Sequence, residues 1–333
     1  MTGKRQAMML NDNPERCAQV YGMGRWERLA EVTQLLPGCV SGDELASHAG
    51  ELVEVEAVFS TWGVPKLGAA ELEHLPALKI LFYAAGSVRS FAPFLLERDI
   101  RVVSSWAANA VPVAEFALAQ VLLSTKGYWR NERDFVGPEE RRIAFRGVGN
   151  FGETVGIIGA GMVGRALIEL LKPFQLNVIV HDPFLPDEVA TALGVEKVSL
   201  ADLFERSYVV SNHLPNLEGL RGLLDGELFE RLRVDATFIN TGRGAQLVEA
   251  DLVRVLQQRP DLTALLDVSF PEPPVEGDPL YGLPNVRLSS HIAGSLGDEV
   301  VRMADYAIDE FQRWEKGEPL LWEVTPELLE KMA

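Results

Sequence analysis

Four charged side chains in the second half of the chain could carry chemistry. Arg243 lies in Asn240-Thr241-Gly242-Arg243-Gly244 and Asp267 in Leu265-Leu266-Asp267-Val268. Glu272 lies in Phe270-Pro271-Glu272-Pro273-Pro274 and His291 in Ser289-Ser290-His291-Ile292-Ala293-Gly294. Each stands within or just after a β-rich run, and open α/β sheets bind ligands beyond the carboxyl ends of their strands. A histidine gives and takes a proton near pH 7. A carboxylate beside it favours the imidazolium, and an arginine grips a carboxylate through two parallel hydrogen bonds. The glycines around Arg243 let a ligand approach the backbone, and the prolines around Glu272 stiffen its loop. Asp267, inside an apolar run, costs free energy unless it is paired or hydrogen-bonded.

A second pattern supplies the partner for such a set. Thr154-Val155-Gly156-Ile157-Ile158 reads as a buried strand and runs straight into Gly159-Ala160-Gly161-Met162-Val163-Gly164. A helix with Ala166, Leu167, Leu170 and Leu171 on one face follows. A glycine cluster alone is weak evidence, but strand, glycines and helix in this order form the dinucleotide fingerprint. Gly159 permits the tight turn, Gly161 lets the backbone approach a pyrophosphate, and Gly164 lets helix and strand pack closely. The helix N-terminus then offers N–H groups and partial positive charge to the phosphates. Asp182 stands 18 residues beyond Gly164, near the place of the acid that binds the adenosine ribose. It would repel a 2′-phosphate, so NAD is expected rather than NADP. An acid, a histidine and an arginine beside a nicotinamide imply hydride transfer to a carbonyl, with His291 as proton donor.

The elements that must position these residues are legible in outline. Strands are expected at 6–10, 57–60, 79–84 and 101–104, with helical stretches near 25–36 and 91–97 between them. A long helix is expected from about 109 to 126, with Pro112 in its first turn. A polar, Arg-rich stretch spans 127–149. Further strands are expected at 177–181, 208–212, 236–240, 264–268 and 286–289, which with 154–158 gives a six-stranded doubly wound sheet. Val300, Met303, Ala304, Ala307, Ile308, Phe311 and Trp314 mark the apolar stripe of a final helix. The reading is α/β with a discontinuous layout: residues 1–108 completed by 298–333 in one domain, and 109–297 in the other.

Composition bounds the partners. The 333 residues carry a formal charge of −17, and 47% are hydrophobic, which excludes a disordered chain. Such an acidic surface repels phosphate backbones and anionic lipid heads, so neither nucleic acid nor a membrane surface is an expected partner. Apolar stretches such as 116–123 read as too short to span a bilayer, and no signal-peptide core is evident. Cys17 and Cys39 are the only cysteines and read as unpaired thiols, so a cytoplasmic location is expected. His48 and His74 read as surface residues, His181 as a position near the adenosine site. No metal-ligand spacing occurs.

These motifs, in this order over about residues 100–300, resemble the D-isomer-specific 2-hydroxyacid dehydrogenase family. The resemblance implies a flavodoxin-like substrate domain closed by the terminal helix, and a Rossmann domain for NAD. It implies His291 as acid/base, Glu272 as its partner, and Arg243 as carboxylate anchor and carbonyl polariser. It implies cofactor contacts from Gly159, Gly161, Met162, Val163, Gly164 and Asp182, from His213-Leu214-Pro215 on the adenosine side, and from Thr241, Gly242, Arg243, Asp267, His291, Ala293 and Gly294. It implies a homodimer joined through the long helix and the Arg-rich segment. The substrate loop departs from the family pattern. Ala84-Ala85-Gly86-Ser87-Val88-Arg89 has Val88 where an acid or amide is usual, and adds a cation. Arg89, or Trp62 in Ser60-Thr61-Trp62-Gly63, is therefore expected to shape a pocket, with Ala85, Gly86 and Ser87, for a larger or more acidic side group. An NADH-sensing regulatory protein on the same scaffold is the alternative. Formate oxidation is disfavoured, because Glu272 stands where that chemistry resembles a site with glutamine.

Overall fold

The structure, a computed structural model, describes residues 4–331. The chain divides into two compact units, Met1–Asn109 with Ser295–Ala333, and Ala110–Gly294.

The first unit holds a parallel sheet of β1 (Gln6–Leu10), β2 (Gln34–Val40), β3 (Ala57–Ser60), β4 (Ile80–Tyr83) and β5 (Arg101–Ser104). Its order is β2-β1-β3-β4-β5, the doubly wound order of flavodoxin. The central strands are apolar on both sides, because each face carries its own core. One face gathers Met8, Val58, Leu81 and Val102, the other Met9, Phe59, Phe82 and Val103. The terminal helix Val301–Lys316 closes the second of these through Met303, Ala304, Ala307, Ile308 and Phe311. The Phe311 ring lies 5.6 Å from that of Phe59 and 5.8 Å from that of Phe82. Burying one such ring contributes roughly 1.5–3 kcal/mol. The long-range return of the chain is thus fixed by an aromatic cluster.

β2 corrects the helix expected over 25–36. The helix ends at Val32 and a strand begins at Gln34. Pro37 and Gly38 interrupt the apolar pattern, and the register slips between Ala7 and Met9 of the partner strand. The strand survives because it is on the sheet edge, where a proline need not donate to a neighbour.

The second unit holds β6 (Phe151–Ile158), β7 (Gln175–His181), β8 (Glu196–Lys197), β9 (Val209–Asn212), β10 (Thr237–Asn240), β11 (Thr263–Leu266) and β12 (Val286–Leu288). All pair in parallel, in the order β12-β11-β10-β9-β6-β7-β8. The chain reverses its direction of travel across the sheet between β6 and β9, which is the topological switch of a Rossmann sheet. Seven strands replace the six expected. β8 is two exposed residues at the edge and carries no apolar run by which to read it.

The long helix spans Trp106–Thr125, so Pro112 lies inside it rather than in its first turn. The proline removes one backbone donor, which a helix of 20 residues tolerates. By length and mean hydropathy (1.4) this helix is also apolar enough to cross a membrane, contrary to the estimate made from the 116–123 run. Half of it is buried within the fold. Ala114, Ala117 and Val121 pack with Val155, Ile157 and Leu167, so core packing accounts for its composition. The segment expected to be polar contains a helix, Tyr128–Asp134, and leaves Phe135, Val136, Ile143 and Phe145 exposed.

Candidate active site

β6 delivers Gly159 into a left-handed turn (φ 88°) that L side chains rarely adopt. The helix Met162–Leu171 starts immediately afterwards, with Gly161 as its N-cap. A Cβ on Gly164 would lie 2.0 Å from the Gly159 carbonyl oxygen, so only glycine lets this helix meet the strand. A Cβ on Gly161 would meet nothing of the chain within 4 Å, so the space it leaves open faces outward. The first intrahelical bond here runs from Arg165 N–H to the Gly161 carbonyl at 3.0 Å. The N–H groups of Met162, Val163 and Gly164 precede it and have no partner within the helix. Asp182, just after β7, accepts from Ala160 N–H and Phe184 N–H, both at 2.8 Å, through different oxygens. It is therefore held against the glycine turn, with acceptor capacity remaining on each oxygen. Glycine turn, uncapped helix start and adjoining carboxylate together fit a dinucleotide.

The second cluster is built at the carboxyl ends of β9, β10 and β11. Asn212 and Asn240 are opposite each other in the register of β9 and β10. Asn212 Nδ2 donates to Asn240 Oδ1 (2.9 Å) and to Gln246 Oε1 (2.7 Å). Gln246 Oε1 also accepts from Arg243 N–H (3.0 Å), and Asn240 Oδ1 from Gly242 N–H (3.0 Å). Gln246 Nε2 donates to the carbonyls of Leu214 and Pro215. This buried amide network fixes the backbone of the Arg243 turn and of the 213–215 loop. It was missed from the sequence, although asparagine closing two neighbouring strands was its visible trace. Arg243 Nη1 donates to the Gly242 carbonyl at 2.7 Å. Burial presses its guanidinium below the ordinary arginine range, and Glu272 acts in the opposite sense. Gly244 lets the Glu272 loop pass, since a Cβ there would be 2.0 Å from the Ser269 carbonyl carbon.

Asp267 is 2% exposed and fully engaged by the turn that carries His291. Its Oδ1 accepts from Ser289 Oγ (2.6 Å) and Ile292 N–H (2.9 Å), its Oδ2 from Ala293 N–H (2.9 Å). Its own carbonyl accepts the His291 N–H at 3.0 Å. His291 has φ 59°, an uncommon backbone state for a non-glycine residue that the surrounding bonds must impose. In that state its Nδ1 meets Glu272 Oε1 at 2.6 Å. The pair is 47% and 41% exposed, too open to add much stability.

His213, expected beside a cofactor, has its ring turned into the fold. Its ring is 9% exposed, with Nε2 2.9 Å from Ser211 Oγ and Nδ1 2.8 Å from Thr241 Oγ1. Both nitrogens and the Thr241 hydroxyl are thus occupied within the fold. His181 Nδ1 is bonded to the Val198 carbonyl. Leu214, Pro215 and Gly294 are half-buried, Gly242 and Ala293 buried.

The residues expected for the substrate lie at the carboxyl edge of the first unit's sheet. Ala85 and Gly86 offer carbonyls to Ser104 Oγ (3.0 and 2.6 Å), and Ser87 is exposed. Trp62 packs against both cores of that unit, with Arg16 over its ring at 5.7 Å. Arg89 Nη2 donates to the Leu329 carbonyl at 2.6 Å.

A Rossmann sheet with a glycine turn, and a histidine–carboxylate pair beside an arginine, define the class of pyridine-nucleotide oxidoreductases. Residues 118–293 match the family described as D-isomer specific 2-hydroxyacid dehydrogenase, NAD binding domain, and the chain belongs to this family. YoaD of Bacillus subtilis, provisionally named a 2-hydroxyacid dehydrogenase, is 33% identical over 235 residues, 68% of this chain and 66% of that protein. The (S)-sulfolactate dehydrogenase of Chromohalobacter salexigens is 32% identical over 218 residues, 65% of this chain and 71% of that one. A D-3-phosphoglycerate dehydrogenase of Archaeoglobus fulgidus is 30% identical over 224 residues, 67% of this chain but only 42% of its own length. In fold, the D-mandelate dehydrogenase of Rhodotorula graminis is similar over 97% of this chain and 98% of its own, with TM-score 0.80 at 22% identity.

Burial pushes the His213 imidazole down from 6.5 to about 3, so it stays neutral in the folded protein. The unfolded chain binds that proton near pH 6.5. This contribution to stability is complete above pH 6.5 and is lost as the pH falls from there towards about 3. Urea unfolding at pH 7 and pH 4.5 should show wild type losing more stability on acidification than His213→Gln. Equal losses would contradict the assignment.

Proposed function

We propose that the chain is an NAD-dependent dehydrogenase that interconverts a D-2-hydroxy acid and its 2-keto acid. The observation that carries the reading is the 2.6 Å pairing of His291 Nδ1 with Glu272, the same carboxylate that acts on Arg243. Pairing through Nδ1 leaves Nε2 as the nitrogen for the substrate oxygen. In reduction His291 gives its proton there, and in oxidation it takes one back. Glu272 orients the ring and stabilises the imidazolium. Arg243 holds the substrate carboxylate and polarises the neighbouring carbonyl. The nicotinamide supplies or accepts the hydride when bound.

The 159–164 turn receives the pyrophosphate at the start of its helix, and Asp182 receives the adenosine ribose and repels a 2′-phosphate. The 213–215 loop borders the adenosine through its backbone, and Thr241, Gly242, Ala293 and Gly294 border the nicotinamide end. Asp267 serves that end chiefly by holding the His291 turn. Ala85, Gly86, Ser87, Trp62 and Arg89 are the first unit's candidates for recognising the substrate's side group. The reaction belongs in the cytoplasm.

An NADH-consumption screen over 2-keto acids tests the reading. Turnover is expected with at least one acid, better with NADH than with NADPH. His291→Ala should lower kcat by about 10²–10⁴-fold, with NADH binding retained. Absence of turnover across glyoxylate, hydroxypyruvate and longer 2-keto acids, in protein that binds NADH, would overturn it.

A homodimer is part of the same proposal. Phe145 is 86% and Val136 81% exposed in the segment that follows the long helix. Apolar exposure of this kind marks association surfaces, and a second copy is the occupant proposed. Sedimentation velocity should give a dimer for wild type and a monomer for Phe145→Glu. A wild-type monomer would contradict the proposal.

A further inference from the structure

The strands of the first unit's sheet are tied differently at their two ends. At the amino ends the ties are partly exposed ion pairs, from Glu56 to Arg5 and Lys79 and from Arg101 to Glu323. Water screens such pairs, and they hold position loosely. At the carboxyl ends the ties are uncharged and buried. Asn11, Ser60, Thr61 and Ser104 are all 0% exposed. Asn11 directly follows β1. Its Nδ2 shares two hydrogens among Ser60 Oγ (3.2 Å) and the carbonyls of Thr61 (3.1 Å) and Trp62 (3.2 Å). Its Oδ1 accepts from Asn13 N–H at 2.8 Å. Thr61 Oγ1 donates to the Ala84 carbonyl beyond β4 at 2.8 Å. Ser104 Oγ, at the end of β5, faces the carbonyls of Ala85 (3.0 Å) and Gly86 (2.6 Å). The ties thus run across four neighbouring strands, β1, β3, β4 and β5.

We propose that Asn11, Thr61 and Ser104 are positioning residues that hold the loops after β3 and β4 as one surface for the substrate's side group. The inference rests on the dehydrogenase reading, which supplies the substrate. The strands are already aligned by their backbone pairing, so these side chains act beyond the sheet, on its loops. Burying polar side chains costs free energy that apolar residues would not, and a buried network that is satisfied makes its surroundings rigid. That cost is met at the carboxyl ends, where open α/β sheets bind ligands.

Each tie has a definite target. Asn11 grips the peptide groups on both sides of Trp62, which fixes the point from which the indole departs. Gly63 belongs to the same arrangement. Its φ is 96°, and a Cβ there would lie 2.6 Å from Asn11 Oδ1. The Thr61 hydroxyl joins this loop to the one that begins at Ala84, and Ser104 sets the place of residues 85 and 86. None of the three touches the substrate. They act through Trp62 and the 84–86 backbone, so their effect grows with the size of the group that meets that surface.

The test compares wild type with Thr61→Val, which keeps the side chain's shape and removes the hydroxyl, and with Thr61→Ser, which keeps the hydroxyl. kcat/KM is measured for 2-keto acids from the smallest to the largest side group that wild type reduces. The ratio of largest to smallest should fall about 10-fold or more in Thr61→Val. It should return towards wild type in Thr61→Ser, with NADH affinity the same in all three proteins. Ser104→Ala, as a second variant, should lower the ratio in the same sense. A general loss of folded protein would lower every acid alike and leave the ratio where it was. An unchanged ratio in both variants, or one that Thr61→Ser fails to restore, would overturn this inference alone. Wild type that reduces no 2-keto acid would overturn the dehydrogenase reading and this inference with it.

Discussion

The buried carboxylate of Asp267 is the constraint on which the candidate site rests. It sits where β11 ends, inside an apolar run, and could not be there as an unpaired charge. Its three hydrogen bonds come from Ser289, Ile292 and Ala293, which are two residues before His291 and one and two after it. The charge is satisfied by wrapping one turn of backbone around itself. In that turn His291 takes a left-handed conformation. The result aims an exposed imidazole at Glu272, which arrives from a loop on the far side of a glycine. A desolvation cost in the sheet is thereby converted into the orientation of a reactive ring.

Around that centre the unit repeats one device, in which buried polar groups fix the backbone around a more accessible side chain or turn. The Asn212–Asn240–Gln246 network does so for Arg243, as Asp182 does for the glycine turn. His213 is the most inward case, a neutral ring bonded on both sides and spent on structure. Side chains of one chemical kind therefore divide by depth. His213 and Asp267 hold, while His291 and Glu272 are presented.

Legibility in the sequence followed the range of the forces involved. The glycine turn is a local matter of φ angles and one helix start, and it could be read from six consecutive residues. The strands of the second unit could be read because burial on both faces makes each an apolar run. β2 and β8 could not, since edge strands need no such run and β2 contains Pro37 and Gly38. The start of the long helix was misplaced because Pro112 signals a first turn in most helices and is tolerated here further in. Arg243, Glu272 and His291 were legible as residue types suited to one reaction, but their approach depends on pairs separated by 19 to 48 residues. The amide network was invisible for the same reason, as asparagine and glutamine carry no periodic signal. The inward turn of the His213 ring was not legible, because a position in a loop motif says nothing about which way a side chain points.

The most direct measurement is a crystal structure of Asp267→Asn. The amide turns a donor towards backbone N–H groups that need an acceptor. The Ile292–Ala293 turn should therefore open, His291 leave its positive φ, and its ring move beyond hydrogen-bond reach of Glu272. A variant that keeps His291 Nδ1 bonded to Glu272 in an unchanged turn would show that this carboxylate does not position the ring.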